Sequence, residues 1–337
     1  MNEAAILVIG PSWVGDMVMS HALFQLLRSR YPESPIDVVA PDWSLPLLAR
    51  MPEIRSGIAL PLAHGELGLR RRFEIGRELG AAGYAQAIVL PRSLKAALLP
   101  WFARVPRRTG FRGEMRFGLI NDMRALDRTV LDQTGKRFLA LGVARDEPLP
   151  DMPQPNLEVS RDNQQRLIAS LQLQTDKPVI ALLPGAEYGP AKCWPLDYFR
   201  DLAAMLGQAG FAVWVLGSVA EHAAGEHIAA NGAARNLCGE TALADAIDLL
   251  AYCRQAVSND SGLMHVAAAA GIHVNAIYGS STPLYTPPLT ARSNIHYLGL
   301  ECSPCFERQC PLGHLRCLRE IRPETVFAGI RQVRPLN

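Results

Sequence analysis

What the 337-residue chain lacks narrows its class first. No apolar run reaches the roughly 20 residues that a bilayer-spanning helix needs. Met1-Asn2-Glu3-Ala4 carries no basic segment of the kind that opens a signal peptide. The expectation is a cytoplasmic protein. The usual nucleotide signatures are missing too: there is no Gly-x-Gly-x-x-Gly, and no Gly-Lys-Ser/Thr to close a P-loop. No Asp-x-Asp pair offers itself to a divalent metal. Neither a helix-turn-helix pattern nor an aromatic RNA-binding motif accompanies the basic residues, so no nucleic-acid partner is expected.

What is present is ordinary globular material, unevenly charged. Apolar residues make up 49% and charged residues 20%, enough for two cores in a chain long for one. The net charge is only +2, yet residues 70–137 hold 15 Lys and Arg against 6 Asp and Glu. The rest of the chain is correspondingly acidic. Scattered arginines usually form a solvated face. Here Arg70, Arg71, Arg72, Arg104, Arg107, Arg108, Arg112 and Arg116 cluster, which favours an acidic partner such as phosphate-bearing lipid or a membrane surface.

Apolar stretches at 4–10, 36–40, 57–60 and 85–90 read as strands, and segments at 17–30, 70–83, 94–102 and 134–141 as helices. The 94–102 helix is expected to break near Pro100. Four prolines in residues 148–155 mark a linker. The pattern then restarts, with strands at 178–183, 211–216 and 274–278 and helices at 162–171, 196–209, 243–253 and 323–333. The expected fold is α/β: two Rossmann-like domains, 1–155 and 156–320, face each other across a cleft, and a helix in 321–337 closes the chain. Ligands in such folds bind outside the carboxyl ends of the strands.

The chain is organised around Ala256–Gly271. Ala256 and Val257 end a strand, Ser258–Gly262 is turn chemistry, and Leu263–Ala270 is a small-residue helix stopped by Gly271. A helix start presents unpaired N–H groups and a positive dipole end, which together make an anion site. Asp260 or Ser261 could cap that helix, and Gly262 permits close approach of a ligand. His265 lies about one turn further on, over the same mouth or simply in the core.

Val14-Gly15-Asp16, Gly185–Lys192 with Trp194-Pro195, Glu221 and Asn259–His265 together resemble the lipopolysaccharide heptosyltransferases, the GT-B enzymes of glycosyltransferase family 9. The motifs span both domains in the right order. A Trp-Val-Gly-Asp loop like Trp13–Asp16 is typical of members that add the second heptose. The resemblance implies transfer of L-glycero-D-manno-heptose from ADP-heptose to the first heptose of the inner core, with inversion and without a metal or other catalytic cofactor. It places the acceptor on lipid A–core oligosaccharide and the enzyme at the cytoplasmic face of the inner membrane. Asp16 matches the family's catalytic aspartate; an N-cap of the helix that follows is the plainer alternative. By the same resemblance Glu221 accepts hydrogen bonds from the adenosine ribose.

Chemistry requires the remaining roles. Without metal, a departing ADP must be stabilised by a cation and a helix dipole. Lys192, in a Gly/Pro loop, and the Asp260-Ser261-Gly262 helix start supply them, with His265 beside the donor. Arg104, Arg107 and Arg108 are the expected acceptor-binding residues. Cys302, Cys305, Cys310 and Cys317 surround His314 within sixteen residues, a spacing compatible with a structural zinc clip, an iron–sulfur cluster or plain thiols. Other readings of the chain are heptosyltransferase I, a GT-B nucleotide-sugar epimerase and a non-catalytic lipid- or nucleotide-binding module.

Overall fold

The computed structural model describes residues 5–63 and 65–333. The chain divides into two compact units, Met1–Pro155 and Asn156–Asn337. The last helix belongs to the second unit and packs on one of its helices.

The first unit contains β1 (Ile6–Ile9), α1 (Val14–Arg30), β2 (Ile36–Ala40), α2 (Leu45–Leu48), β3 (Ser56–Ala59), α3 (Leu69–Gly80), β4 (Gln86–Val89), α4 (Leu94–Phe102), β5 (Arg107–Phe111), β6 (Asp122–Arg124) and α5 (Thr134–Ala140). The second contains α6 (Arg161–Ser170), β7 (Val179–Leu183), α7 (Leu196–Gln208), β8 (Ala212–Val215), α8 (His222–Ala229), β9 (Arg235–Asn236), α9 (Leu243–Tyr252), β10 (Gln255–Asn259), α10 (Gly262–Ala269), β11 (His273–Ile277), β12 (Ser293–His296), α11 (Arg316–Arg319) and α12 (Pro323–Gln332).

Each unit is one six-stranded sheet, ordered β3-β2-β1-β4-β5-β6 in the first and β12-β11-β10-β7-β8-β9 in the second. Every pairing between these strands is parallel. Read in chain order, both sheets have the same doubly wound topology, and the order reverses between β1 and β4 and between β7 and β10. Those reversals open the crevices where such folds take ligands.

The central strands are apolar throughout because helices cover both their faces. Ile6–Ile9 and Val179–Leu183 are entirely buried. In the second unit Leu182 packs with Trp194, Phe199, Val215 and Leu318 in one core. Leu182→Ala would cost about 2–5 kcal/mol in transfer energy and cavity. In the first, Leu7, Val89 and Leu99 anchor a core between the sheet and the α3–α4 pair. Gly76 lets those helices meet, since a Cβ there would lie 2.5 Å from Phe102 Cβ.

Two local readings need correction. Pro100 does not break α4: it stands in the last turn, and the helix runs to Phe102. α1 begins at Val14 with Trp13 as its N-cap, so Asp16 lies inside the first turn rather than in the preceding loop.

Candidate active site

The second sheet's switch point assembles a polar cluster. β7 leads into the loop bearing Lys192, and β10 leads into Asp260 and α10. Asn259 binds the two together: its Oδ1 accepts from Trp194 N at 2.9 Å and its Nδ2 donates to Pro184 O at 2.6 Å. Trp194, fully buried, donates Nε1 to Ile321 O and holds the loop's far end. The strand end thus carries the loop's geometry.

Lys192 Nζ then reaches Asp260 Oδ2 at 2.5 Å, with side-chain exposures of 17% and 4%. Ser281 Oγ donates to the same oxygen at 2.5 Å, and Thr286 Oγ1 lies 3.4 Å from Oδ1. Asp260 is therefore turned towards the lysine and does not cap α10. Ser261 occupies the N-cap position, and its side chain makes no capping bond either. The first N–H groups of α10 consequently have no side-chain cap, in a place where the dipole and a lysine both favour an anion.

His265 is buried, its Nδ1 has no hydrogen-bond partner, and burial pushes its pKa down to about 4. It is a neutral imidazole beneath the ion pair. Glu221 ends a short 3-10 turn, Val219–Glu221, beyond β8. Its Oε2 accepts from Ser218 N at 2.8 Å and from Ser218 Oγ at 2.6 Å. Gly185 and Gly217 frame it, since a Cβ on either would stand about 3 Å from the glutamate.

In the first unit Asp16 lies just beyond the carboxyl end of β1, in the first turn of α1 and partly exposed. Trp13 is the N-cap, so Asp16 is not the N-cap residue itself but a first-turn carboxylate, which the helix dipole favours. The structure does not bring Arg104, Arg107 and Arg108 to it. Arg107 begins β5 in register with Gln86, which pairs with Ile6, so these arginines mark the amino edge of the sheet. At about 3.3 Å per residue that edge is roughly 10 Å or more from the Asp16 mouth. Arg107 pairs with Asp122, and Arg108 donates to the carbonyls of Leu119 and Val105. Basic residues on Asp16's own edge include Arg92 and Lys95, after β4, and Arg112 and Arg116, after β5. Arg116 is spent structurally: fully buried, it donates to Pro91 O and Phe111 O. A cavity of about 280 Å³ in this unit is lined by Arg30, Arg107, Arg124 and Glu147, and not by Asp16.

Comparison with known proteins decides what this geometry belongs to. The family Glycosyltransferase family 9 (heptosyltransferase) matches residues 72–316. Lipopolysaccharide heptosyltransferase 2 of Salmonella typhimurium is 43% identical over 342 residues, covering 97% of this chain and 98% of that protein. Lipooligosaccharide heptosyltransferase 2 of Haemophilus influenzae is 44% identical over 304 residues, covering 86% and 87%. The structure of ADP-heptose lps heptosyltransferase II from E. coli superposes with a TM-score of 0.87 at 40% identity, covering 97% of this chain and 98% of that one.

The chain belongs to glycosyltransferase family 9, the heptosyltransferases. It is a glycosyltransferase, and its doubly wound pair of sheets is the GT-B architecture.

The transferase's cysteine loop sits directly behind the lysine. Ala191 N donates to Arg308 O at 3.1 Å, Phe306 N to Ser280 O at 2.7 Å, and Ser303 Oγ to Gly279 O at 2.5 Å. Cys302, Cys305, Cys310, Cys317 and His314 line one small cavity with Ala191 and Ser280. All four are free thiols, and among the described residues no three His, Cys, Asp or Glu side chains are grouped to hold a metal ion. The N–H groups of Leu315, Leu312, His314 and Gly313 hold the Cys310 thiol below the usual range.

Ser281 and Thr286 were missed in the sequence. The signal was a strand running into Gly279-Ser280-Ser281-Thr282, a turn rich in hydroxyls at a carboxyl end. The sequence singles out neither Arg92 nor Lys95, and does not separate Arg112 from its cluster, because charge clustering along the chain does not say which edge of a sheet a residue occupies.

Proposed function

We propose that this transferase moves L-glycero-D-manno-heptose from ADP-heptose to the first heptose of the lipopolysaccharide inner core, inverting the anomeric carbon. The observation that carries the reading is the Lys192–Asp260 pair at the mouth of α10, whose helix start has no side-chain cap. It supplies one cation and a set of N–H donors where a diphosphate would develop charge on departure. Ser261 and Gly262 provide the close backbone, Glu221 meets the ribose, and neutral His265 packs beneath. Asp260 orients the lysine.

Asp16 takes the proton from the acceptor hydroxyl. A carboxylate at this strand mouth is a group that can serve as the general base. Arg92, Lys95 and Arg112, on Asp16's edge, replace Arg104, Arg107 and Arg108 as the acceptor-side cations. Charge stabilisation by Lys192 and the helix makes a catalytic metal unnecessary. The acceptor is lipid A–core oligosaccharide, and the enzyme works at the cytoplasmic surface of the inner membrane, without nucleic acid. For the cysteine loop the proposal is a structural zinc, supported by the shared cavity and by the N–H groups around Cys310; the thiols would have to draw together on it.

The near-full-length relatives carry the name heptosyltransferase 2, which favours that activity over heptosyltransferase I. One assay separates transferase, epimerase and binding module. ADP release from ADP-heptose in the presence of EDTA should require acceptor. Release without acceptor, or none with it, would overturn the reading.

A further inference from the structure

The α3–α4 face of the first unit carries side chains that the transfer reaction does not use. Leu67, Leu69, Phe73 and Trp101 are 51%, 52%, 44% and 47% exposed. Three aromatic rings form a continuous step: Phe73 stands edge-on to Phe102 at 5.2 Å, and Phe102 lies 5.2 Å from Trp101. Leu69 and Phe73 are one turn apart on α3 and share a face. Single exposed apolar residues need no explanation, but a contiguous aromatic and leucine patch does.

The charge around that patch is sorted. At about 100° per residue, Leu69, Phe73, Gly80, Arg77 and Arg70 fall within one arc of about 100° on α3. The core-facing residues Arg72, Ile75, Gly76 and Leu79 take the arc to one side of it. Glu74 and Glu78 fall beyond Arg70, on the far side, with Arg71. Arg72 faces inwards and gives its guanidinium to Leu67 O and Glu66 O. Arg77 lies over the Phe73 ring at 5.9 Å, its stem along the apolar strip and its charge at the rim. Arg70, with its side chain 93% exposed, flanks the same strip, reaching to Glu74 at 3.0 Å. Such a surface pair contributes little and yields readily to another anion. Arg104, just past the end of α4 with its N–H on Trp101 O, adds a third positive charge.

Leucine and aromatic side chains rimmed by arginines complement an anionic bilayer. The rings suit the acyl–headgroup boundary and the guanidinium groups the phosphates. We propose that α3 and the end of α4 form the membrane-docking surface of this transferase. Leu69, Phe73 and Trp101 enter the interface of a phosphatidylglycerol-containing membrane, while Arg70 and Arg77 bind lipid phosphates. The proposal rests on the reading that the acceptor is lipid-borne, and it names the surface that meets the lipid.

The test is co-sedimentation of the full chain with vesicles of phosphatidylglycerol and phosphatidylethanolamine, against phosphatidylcholine vesicles. It is run at low and high salt, for wild type, Leu69→Ser/Trp101→Ser and Arg70→Gln/Arg77→Gln. Wild type should bind anionic vesicles at least tenfold better than neutral ones, and less so in high salt. The arginine variant should lose about fivefold per charge removed, and the apolar variant at least tenfold. Turnover with a deacylated, water-soluble acceptor should stay within about twofold in both variants, so the docking surface can fail while the transferase reading stands. Vesicle binding unchanged in both variants would overturn the proposal. So would a dimer in sedimentation velocity that Leu69→Ser/Trp101→Ser abolishes, since a second copy would then cover the patch. Loss of turnover with the soluble acceptor would place these residues in the fold or the site and would also overturn it.

Discussion

Lys192 has two roles that a pair of substitutions can separate. Its Nζ lies 2.5 Å from Asp260 Oδ2, where the carboxylate side chain is 4% exposed and the lysine 17%. Removing one partner of a fully buried pair costs about 3–5 kcal/mol, whereas a surface pair is worth less than about 1. Lys192→Ala leaves Asp260 with the hydroxyls of Ser281 and Thr286, each able to recover about 1 kcal/mol. The net destabilisation should be about 2 kcal/mol, a fall of roughly 4–8 °C in the melting of the second unit. Lys192→Ala/Asp260→Asn removes both charges together. It should be more stable than the sum of the single variants by about 1–2 kcal/mol.

Activity should not follow stability. kcat/KM for ADP-heptose should fall in Lys192→Ala by about 2–4 kcal/mol of transition-state stabilisation, and the double variant should recover none of it. Thermal denaturation and steady-state kinetics on the four proteins make the cycle. Additive stabilities within about 0.5 kcal/mol, together with an unchanged kcat/KM, would refute the reasoning.

Asp16→Asn should keep its melting temperature and donor affinity while kcat falls by roughly 10²–10⁴-fold, read by single-turnover kinetics; near-normal turnover would remove Asp16 from the chemistry. His265 ionises at about 4 in the fold against 6.5 unfolded, so the unfolded state binds the extra proton. Its contribution is fully present above pH 6.5 and is lost as pH falls towards 4, by roughly 3 kcal/mol. Urea denaturation across that range should show a steeper loss in wild type than in His265→Gln, and parallel curves would contradict the assignment. Metal analysis of protein purified without added zinc should find about one equivalent, with Cys305→Ser lowering the melting temperature more than kcat; sub-stoichiometric metal with unaltered stability would leave four free thiols.

The doubly wound layout was readable because buried parallel strands are continuous apolar runs: Ile6–Ile9 and Val179–Leu183 show no polar alternation. β5 was not readable. Arg107-Arg108-Thr109-Gly110-Phe111 looks like basic surface, and it pairs as a strand because only its second half, Thr109–Phe111, is buried. β12 escaped for the same reason, being half-exposed Ser293–His296 at a sheet edge. That Lys192 and Asp260 would meet was legible in part, since Asn259–His265 and Lys192 combine turn chemistry with a strand end and a helix start. The edge of the sheet that the arginines occupy was not legible. Arg104, Arg107 and Arg108 cluster in sequence, but register sets them at the amino edge, opposite Asp16. Asp16's place in α1 also defied the expectation, because Trp13, a residue with no capping side chain, takes the N-cap.

This chain adds a second heptose to a first. The direct measurement is mass spectrometry of purified core acceptors after incubation with ADP-heptose and the enzyme, one acceptor ending before any heptose and one bearing a single heptose. One added heptose, with equimolar ADP, is expected on the monoheptosylated acceptor alone. Transfer to the heptose-free acceptor, with none to the other, would contradict it.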